Sequence, residues 1–170
     1  MEKLKNRIEL IDMFNRRGFK TGAEIGVWKG EYSKKILERT KAVLFCVDPW
    51  DGTGMSVNFD GDEICAKTTE DLSRFDGRAR IIRSTSENAA ELFSDEYFDF
   101  IYIDAKHDYD SVKQDVGLWL PKVRKSGGIL SGHDYNNRGK KGVKRAILEM
   151  FDEKIVNYTG EKCCSWWIEL

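Results

Sequence analysis

Hydrophobic residues recur at two different spacings along this chain, and each change of spacing predicts a change of secondary structure. Leu4, Ile8 and Ile11 follow the i, i+4, i+7 spacing of one helix face, and Gly18 ends this leading helix. We expect the helix to pack at the edge of the domain. Five short runs rich in apolar residues follow, as is typical of buried strands, at residues 23–27, 42–47, 79–83, 98–103 and 127–131.

Helical stripes occupy the intervals between these strands. The clearest has Val112, Val116 and Trp119 on one face. A short helix is predicted after Ser84, because a hydroxyl followed by Glu87 three residues later satisfies free N–H groups at a helix start. The other helices are predicted from Tyr32, Ile36 and Leu37, from residues 63–75, and from Val143, Ala146, Ile147, Met150 and Phe151.

The alternation of strands and helices indicates the fold class. Parallel strands joined by right-handed crossovers through helices form a doubly wound α/β sheet with helices on both faces. The tail differs, because residues 155–158 and 163–168 flank Thr159-Gly160 as the two strands of a hairpin do. The sequence therefore predicts a mostly parallel sheet that ends in a C-terminal antiparallel hairpin.

Length and composition fit one domain. The chain has 170 residues, two prolines and no low-complexity stretch, so residues 1–170 are predicted to form a single unit, with residues 1–18 as its leading helix. Lys and Arg total 28 and Asp and Glu total 29, which leaves a net charge of -1. This balance makes nucleic acid an unexpected main partner.

The chain shows no targeting or membrane signal. No run approaches the roughly 20 apolar residues that span a bilayer, and charged and hydrophobic residues alternate at the N-terminus, unlike in a signal peptide. None of the four cysteines forms a C-x-x-C pair, so free thiols are expected. We therefore expect a cytoplasmic protein without a membrane partner.

Polar residues follow each of the five predicted parallel strands, where ligands bind in doubly wound sheets. They are Glu24 to Gly30, Asp48, Ser84 to Ser86, Asp104 to His107, and His133 with Asp134. Strand-to-loop junctions are often polar in any protein, so a purely structural role is the alternative. Their recurrence at every strand end favours one ligand crevice.

The turn after the first strand contains two glycines. Gly26 would let the backbone approach a ligand, and Gly30 would allow a tight entry into the next helix. The free N–H groups of that helix suit a carboxylate or a phosphate. Because Trp28 occupies the middle position, the spacing is not G-x-G-x-x-G, which disfavours nicotinamide and flavin cofactors.

Asp48 is a candidate for nucleoside binding. It lies 24 positions beyond Glu24, at the end of the second strand, where a carboxylate can accept both hydroxyls of a ribose. The alternative is a turn or capping residue before Pro49. The distance from Glu24 favours the nucleoside interpretation.

Four segments together resemble class I S-adenosylmethionine-dependent methyltransferases. They are Ala-Glu-Ile-Gly-Val-Trp-Lys-Gly-Glu-Tyr-Ser at 23–33, Val-Asp-Pro-Trp at 47–50, Tyr-Ile-Asp-Ala-Lys-His-Asp-Tyr at 102–109 and Gly-Gly-Ile-Leu-Ser-Gly-His-Asp-Tyr at 127–135. More narrowly, they resemble a bacterial and phage group related to catechol-type and macrolide-sugar O-methyltransferases, in motif order and spacing over about residues 21–150. The resemblance implies a single-domain Rossmann-like sheet of seven strands and S-adenosyl-L-methionine as the cofactor.

The same resemblance implies roles for cofactor-binding residues. The first turn, which begins at Glu24 and closes at Gly30, would hold the methionine part of the cofactor, and Asp48 would hold the ribose. The residues implied for the methionine part are Gly26, Trp28 and Ser33, and those implied for the adenine surroundings are Pro49, Ser84, Thr85 and Ser86.

The chemistry is expected around Asp104, which is also a cofactor-binding candidate. In catechol-type relatives, an Asp after strand four and an Asp-Asn pair after strand five hold Mg2+, and a Lys three residues beyond the first Asp is the base. This chain has Asp104 and Asp134 as metal candidates, His107 at the base position and Tyr135 in place of Asn. One ligand is therefore missing, and Mg2+ dependence stays open. His133 is an alternative base, or a residue that orients Asp134.

These observations predict methyl transfer to a hydroxyl of a small molecule such as a sugar or a phenol. The alternatives are a non-catalytic S-adenosylmethionine-binding module and a methyltransferase for nucleic acid or protein, although no Asp/Asn-Pro-Pro-Tyr/Phe follows strand four. The acceptor pocket is either shallow or completed by the second subunit of a homodimer. Residues 51–62 are predicted to form a lid, and Lys140, Lys141, Lys144 and Arg145 a solvated basic face.

Overall fold

Seven strands form one sheet in the computed structural model, which describes residues 3–52, 59–136 and 142–170. Their order across the sheet is β3-β2-β1-β4-β5-β7-β6, and β7 runs antiparallel to both of its neighbours while the first five strands are parallel. The predicted doubly wound α/β sheet with its C-terminal antiparallel hairpin is thereby confirmed. The strands are β1 Thr21–Ile25, β2 Val43–Asp48, β3 Ala79–Arg83, β4 Phe100–Ile103, β5 Ile129–Gly132, β6 Asn157–Tyr158 and β7 Trp166–Glu169.

The helices lie between the strands as the sequence predicts, and polar side chains cap four of them. Asn6, Asp60, Thr85 and Asp108 each accept at least one backbone N–H of the first turn that has no partner within the helix. The helices are α1 Arg7–Arg16, α2 Glu31–Arg39, α3 Gly61–Ser73, α4 Ser86–Ala90, α5 Tyr109–Trp119 and α6 Gly142–Met150, and a 3-10 turn at Leu120–Lys122 follows α5.

The start of α4 differs from the prediction. Thr85, not Ser84, is the N-cap, and its hydroxyl accepts from the backbone N–H of Asn88 at 3.4 Å. Ser84 continues the pairing of β2 with β3 instead, since its N–H donates to the Asp48 carbonyl at 3.2 Å. Because Ser84 is paired in the sheet, α4 begins one residue later than predicted.

Strand ends also shift by about two residues from the predicted runs. The first strand ends at Ile25, because Gly26 turns the chain with a φ of 91°. The fourth begins at Phe100, since Phe98 forms only an isolated bridge with Val123. Residues 53–58 of the predicted lid, and Lys140 and Lys141 of the predicted basic face, lie outside the described residues.

Two buried clusters cover the two faces of the sheet. Side chains from α1, α2 and α3 pack on one face with Phe100 and Tyr102 of β4, while α4, α5 and α6 pack on the other with Ile101 and Ile103. Alternate residues of one strand thus supply both cores, as the two-residue period of a strand requires.

The leading helix lies on a sheet face and not at the domain edge, so that expectation was wrong. Phe14 of α1 is fully buried, and its ring stacks on Phe100 of the central strand β4 with centroids 4.3 Å apart. The apolar stripe of α1 is long enough to need this cover, because Leu10 and Ile11 are also fully buried. Residues before the first motif therefore reach the centre of the sheet.

The described part of the chain contains no helix long and apolar enough to cross a membrane. All four cysteine thiols are free, as the sequence predicts.

A substitution at Gly22 tests the packing between α1 and the sheet. It pairs with Phe100 in register, and a Cβ there would lie 2.1 Å from the phenyl ring. We expect Gly22→Ala to lower the free energy of unfolding by about 1–3 kcal/mol through overpacking. In urea titrations, the control Gly117→Ala should instead raise the free energy of unfolding by about 0.5–1 kcal/mol, because alanine favours the helix and, beyond its chain neighbours and the backbone of its own helix, no heavy atom of the described residues lies within 4 Å of the Cβ position. Equal stabilities of the two variants would contradict this account.

Candidate active site

The carboxyl ends of β1, β2 and β4 meet at one level of the sheet. Ile25 at the end of β1 pairs with Val47 on one side and with Ile103 on the other. Chain order reverses between β1 and β4, since β2 and β3 lie to one side of β1 while β5 lies beyond β4. This switch point is where a crevice for ligands forms in doubly wound sheets, and Asp48 and Asp104 flank it.

Gly26 permits a close approach between two loops. A Cβ at this position would lie 2.4 Å from the Asp104 carbonyl oxygen and 2.6 Å from the Ala105 backbone. From its place in the sequence, this glycine is expected to let the backbone approach a ligand. The structure gives it a different partner, because it is the loop after β4 that occupies this space.

The Asp48 carboxylate holds the turn after β1 in place. Its Oδ2 accepts the N–H groups of Val27 and Trp28, each at 2.9 Å, and its Oδ1 accepts the N–H of Trp50 at 2.8 Å. A carboxylate has about four acceptor sites, so one remains. In this conformation Asp48 has room to accept one further hydroxyl. To accept both hydroxyls of a ribose, it would have to lose one of its three hydrogen bonds from backbone N–H groups.

Glu24 and Ser33 lie beneath the crevice and not on its surface. Both are buried, and the Ser33 hydroxyl donates to Glu24 Oε2. Burial raises the pKa of Glu24 to about 8, and the hydrogen bond from Ser33 offsets this only in part. Neither side chain exposes atoms at the surface of the crevice in this conformation, and their assignment to the cofactor stays a prediction.

Two residues to which the sequence analysis gave no role fasten the same turn to its surroundings. The Trp28 carbonyl accepts the indole N–H of Trp50 at 2.8 Å and the hydroxyl of Thr68 at 3.1 Å. Gly30 begins α2 with a φ of 70°, and a Cβ there would lie 2.9 Å from Thr68. The Val-Asp-Pro-Trp segment marked Trp50, but nothing local in the sequence indicated Thr68.

The residues predicted near the adenine divide into two groups. Ser84 lies beside Asp48 through its backbone, and the Pro49 carbonyl accepts from Arg83 Nε at 3.4 Å. Ser86 turns towards the core, because its hydroxyl accepts the indole N–H of Trp119 at 2.8 Å. Thr85 is occupied as the cap of α4.

Two clefts lie on the β2 side of the crevice. One of about 550 Å3 is lined by Trp50, Phe59, Asp60, Gly61, Asp62 and Arg83. It opens where β2 and β3 end, but its lining includes none of the four residues predicted near the adenine. Another of about 690 Å3 runs between α2 and α3, and its lining contains no residue of the loops after β4 and β5.

Two carboxylates and two imidazoles meet on the other side of the crevice. His107 Nε2 lies 3.2 Å from Asp104 Oδ1 and 3.4 Å from Asp134 Oδ2. His133 Nδ1 lies 3.5 Å from Asp104 Oδ1 and 3.4 Å from Asp134 Oδ1. The loops after β4 and β5 thus bring together all the catalytic candidates predicted from the sequence, and we call these four residues the His–Asp cluster.

The cluster shifts the pKa values of Asp104 and His133. Burial alone would raise the pKa of Asp104, but hydrogen bonds and charge from His107 and His133 outweigh it and lower the pKa below its usual range. Burial alone would lower the pKa of His133, but its interactions with Asp104 and Asp134 outweigh it and raise the pKa. An imidazole held in this way by carboxylates is suited to proton transfer.

The donors of the cluster do not fit the predicted Mg2+ site. Mg2+ prefers an octahedron of oxygen ligands, whereas Asp104 and Asp134 both face imidazole nitrogens. Tyr135, in the position of the relatives' Asn, is buried and stacks on Tyr158. Among the described residues, no group of three or more His, Cys, Asp or Glu side chains has the geometry to hold a metal ion.

Arg7 also lies at the crevice, although none of the sequence motifs includes it. It reaches the crevice from α1, with Nη1 3.9 Å from Asp104 Oδ2. A signal was present, because Arg7 shares a helix face with the apolar residues Leu4, Ile8 and Ile11. A cation within an apolar stripe indicates an anionic partner in the interior.

Sequence comparisons give one family match and one curated relative. A family model described as a methyltransferase domain matches residues 23–135. An uncharacterized protein of Sinorhizobium fredii, y4gI, is 29% identical over 86 residues, which are 51% of this chain. The match covers only 9% of that protein's length.

Solved structures with the same fold carry different names. A candidate caffeoyl-CoA O-methyltransferase from Staphylococcus aureus has a TM-score of 0.72 at 16% identity, covering 96% of this chain and 83% of that one. An O-methyltransferase from Bacillus cereus in complex with S-adenosylhomocysteine has a TM-score of 0.69 at 13% identity, with coverages of 96% and 80%. A candidate rRNA methylase from Clostridium thermocellum has a TM-score of 0.70 at 17% identity, with 99% of both chains covered. At these identities the likeness shows the fold alone.

Glu24→Gln tests whether the buried carboxyl is protonated in the folded protein. The pKa of Glu24 is about 8 in the folded protein and 4.5 in its ordinary state. The protonated carboxyl therefore contributes its full stability below pH 4.5, and this contribution is lost as the pH rises through about 8. We expect the wild-type free energy of unfolding to fall across this window by at most about 1.4 kcal/mol per pH unit from this group. In urea titrations at several pH values, the free energy of unfolding of Glu24→Gln should not show this fall, because glutamine does not titrate.

Glu91→Gln is the control, since Glu91 is exposed at the end of α4. It should keep the wild-type slope. If Glu24→Gln also kept the slope, Glu24 would be ionised in the folded protein.

Proposed function

The chain belongs to the methyltransferase domain family, whose model covers residues 23–135, and on this premise we propose that it transfers a methyl group from S-adenosylmethionine to a hydroxyl oxygen of a small molecule. The family match confirms the resemblance seen in the sequence. The oxygen acceptor, the small-molecule substrate and the residue roles below belong to the proposal.

One observation carries the proposal: the His–Asp cluster lies at the switch point, beside the turn that Asp48 holds. The methyl group of a sulfonium is transferred by in-line displacement, so the protein has to align the acceptor and remove its proton. The oxygen forms a bond to the methyl carbon while the carbon–sulfur bond breaks and its electron pair stays on sulfur. S-adenosylhomocysteine and the methylated acceptor are the products.

We assign the proton transfer to His133. Its Nδ1 faces Asp104 and Asp134, which orient the ring, and none of the described residues pairs with its Nε2. That nitrogen is placed to take the acceptor proton. His107 Nε2 lies between the two carboxylates, which suits a residue that positions them. The sequence had left the choice between the two histidines open.

The charge of the chain supports a small acceptor. A net charge of -1 provides no general attraction to a polyanion. A nucleic-acid acceptor is the alternative outcome of a substrate screen, because a candidate rRNA methylase is among the structural neighbours. A non-catalytic cofactor-binding module is the other alternative. It would retain Asp48 but would not need a base.

Two further parts of the proposal concern assembly and location. A second copy of the chain would complete the acceptor pocket, and light scattering that finds an active monomer would refute this. A cytoplasmic location is supported by four free thiols. Localisation of a tagged protein outside the cytoplasm would refute that part.

Calorimetry with S-adenosylhomocysteine and NAD in parallel tests the cofactor. We expect S-adenosylhomocysteine to bind and NAD not to bind, because the turn at Trp28 lacks the glycine spacing that cradles a pyrophosphate. Binding of NAD alone would contradict the proposal.

An acceptor screen then follows with sugars, phenols and RNA, each with Mg2+ or with EDTA. We expect turnover of a small hydroxyl compound, equal under both conditions, because the His–Asp cluster lacks the oxygen ligands that Mg2+ prefers. Loss of turnover in EDTA that Mg2+ restores would contradict the metal-independent part.

His133→Ala and His107→Ala test the assignment of the base. We expect His133→Ala to lower kcat by about 100-fold or more, the usual contribution of general base catalysis. His107→Ala should cost less, because it removes a positioning contact. Both variants should bind S-adenosylhomocysteine with nearly wild-type affinity in calorimetry. The opposite order of kcat values would transfer the role to His107, and wild-type turnover by both would exclude a histidine base.

A further inference from the structure

Arg7 places a cation at the crevice that the reaction described above does not use. It begins α1, and its side chain is 28% exposed. Its Nη1 lies 3.9 Å from Asp104 Oδ2, and its guanidinium carbon lies 4.9 Å from the centre of the Tyr32 ring. Tyr32 belongs to the first turn of α2. The guanidinium therefore lies between the start of α2 and the His–Asp cluster.

The main chain of Arg7 is held independently of the side chain. Its N–H donates to Glu161 Oε1 at 2.8 Å, and its carbonyl accepts from the Tyr32 hydroxyl at 3.2 Å. Asn6 caps α1 immediately before it. Replacement of the guanidinium therefore leaves these anchors of α1 in place.

The guanidinium is charged and has donors beyond those its protein contacts need. Burial alone would lower the pKa of Arg7, but Tyr102 and Asp104 outweigh it and raise the pKa. The 3.9 Å contact with Asp104 is an ion pair too long to be a hydrogen bond. Because a guanidinium has five N–H donors, Arg7 can also bind an anionic group that enters the crevice.

The methyl donor would bring such a group to this place. S-adenosylmethionine carries a carboxylate at its methionyl end, and the crevice already contains the carboxylates of Asp48 and Asp104. The cofactor's own α-ammonium offsets part of the repulsion between this carboxylate and the two aspartates, and a protein cation paired with the carboxylate would offset it further. A guanidinium can pair with a carboxylate through two parallel hydrogen bonds, which a single point charge cannot do.

We propose that Arg7 binds the methionyl carboxylate of the cofactor and thereby selects donors that retain this group. The inference rests on the proposed function and assigns one more residue to the same cofactor. An acidic group of the acceptor is the other anion that a guanidinium could bind. Arg7 lies over Tyr32 at the start of α2. This position favours the cofactor as the ligand, because the turn after β1, which is expected to hold the methionine part, leads directly into α2.

Paired ligands test the proposal by calorimetry. One is S-adenosylhomocysteine and the other is decarboxylated S-adenosylhomocysteine, the same thioether without its carboxyl group. We expect wild-type protein to prefer the carboxylate form by about tenfold or more, as for a charge-assisted pair of hydrogen bonds. Arg7→Gln should bind the two ligands with nearly equal affinity, because the loss falls on the carboxylate form alone. Arg7→Lys should retain part of the preference, since it keeps the charge without the planar donors.

Arg39→Gln is the matched control. Arg39 Nε pairs with Asp12 Oδ1 at 3.0 Å, which links α2 to α1 at the surface. The change therefore disturbs the contact between the same two helices without removing a group from the crevice. We expect this variant to keep the wild-type preference, and thermal melts followed by circular dichroism to show that both variants are folded.

Several outcomes would overturn the inference. Equal binding of both ligands by the wild type would refute it without any variant. An Arg7→Gln protein that weakens both ligands equally would make Arg7 a positioning residue for Asp104. An unchanged preference with a raised KM for the acceptor would place Arg7 at the acceptor. A wild type that binds neither ligand would refute the proposed function itself, which separates the two failures.

Discussion

The close approach of the loops after β1 and β4 is the constraint on which the candidate site depends. A side chain at Gly26 would place its Cβ 2.4 Å from the Asp104 carbonyl oxygen, so the two loops meet only if this residue is glycine. Through this contact the turn held by Asp48 and the His–Asp cluster share one crevice. A cofactor in the turn and an acceptor at the cluster would then lie within reach of each other.

Charge compensation within the crevice determines the chemistry that it supports. Each of the carboxylates of Asp104 and Asp134 lies within 3.5 Å of two imidazole nitrogens, and Arg7 approaches Asp104 from α1. Buried carboxylates require partners of this kind. Because the partners are imidazoles, the cluster is better suited to moving a proton than to holding a hard cation. Fold similarity alone does not provide this distinction, since neighbours with different names share the same sheet.

Much of the fold could be predicted because its elements are short and strongly periodic. The runs around β2 and β4 and the stripe of α5 depend on local spacing, which the sequence displays directly. Errors arose where a distant segment decides a local question. Ser84 resembles a helix cap, but β2 holds its backbone in the sheet; α1 resembles an edge helix, but Phe100 of a central strand needs its cover.

By itself, the sequence determined the order of strands and helices, the doubly wound class, the methyltransferase family and the set of polar residues that follow the strands, because these depend on periodicity and on motifs read along the chain. Only the tertiary structure decided which of those residues face the crevice. Glu24 and Ser33 lie beneath it, His133 faces both carboxylates, and Arg7 arrives from a helix that precedes every motif. The physical reason is that burial and charge pairing join segments far apart in sequence. Local spacing contains no information about which of these segments meet.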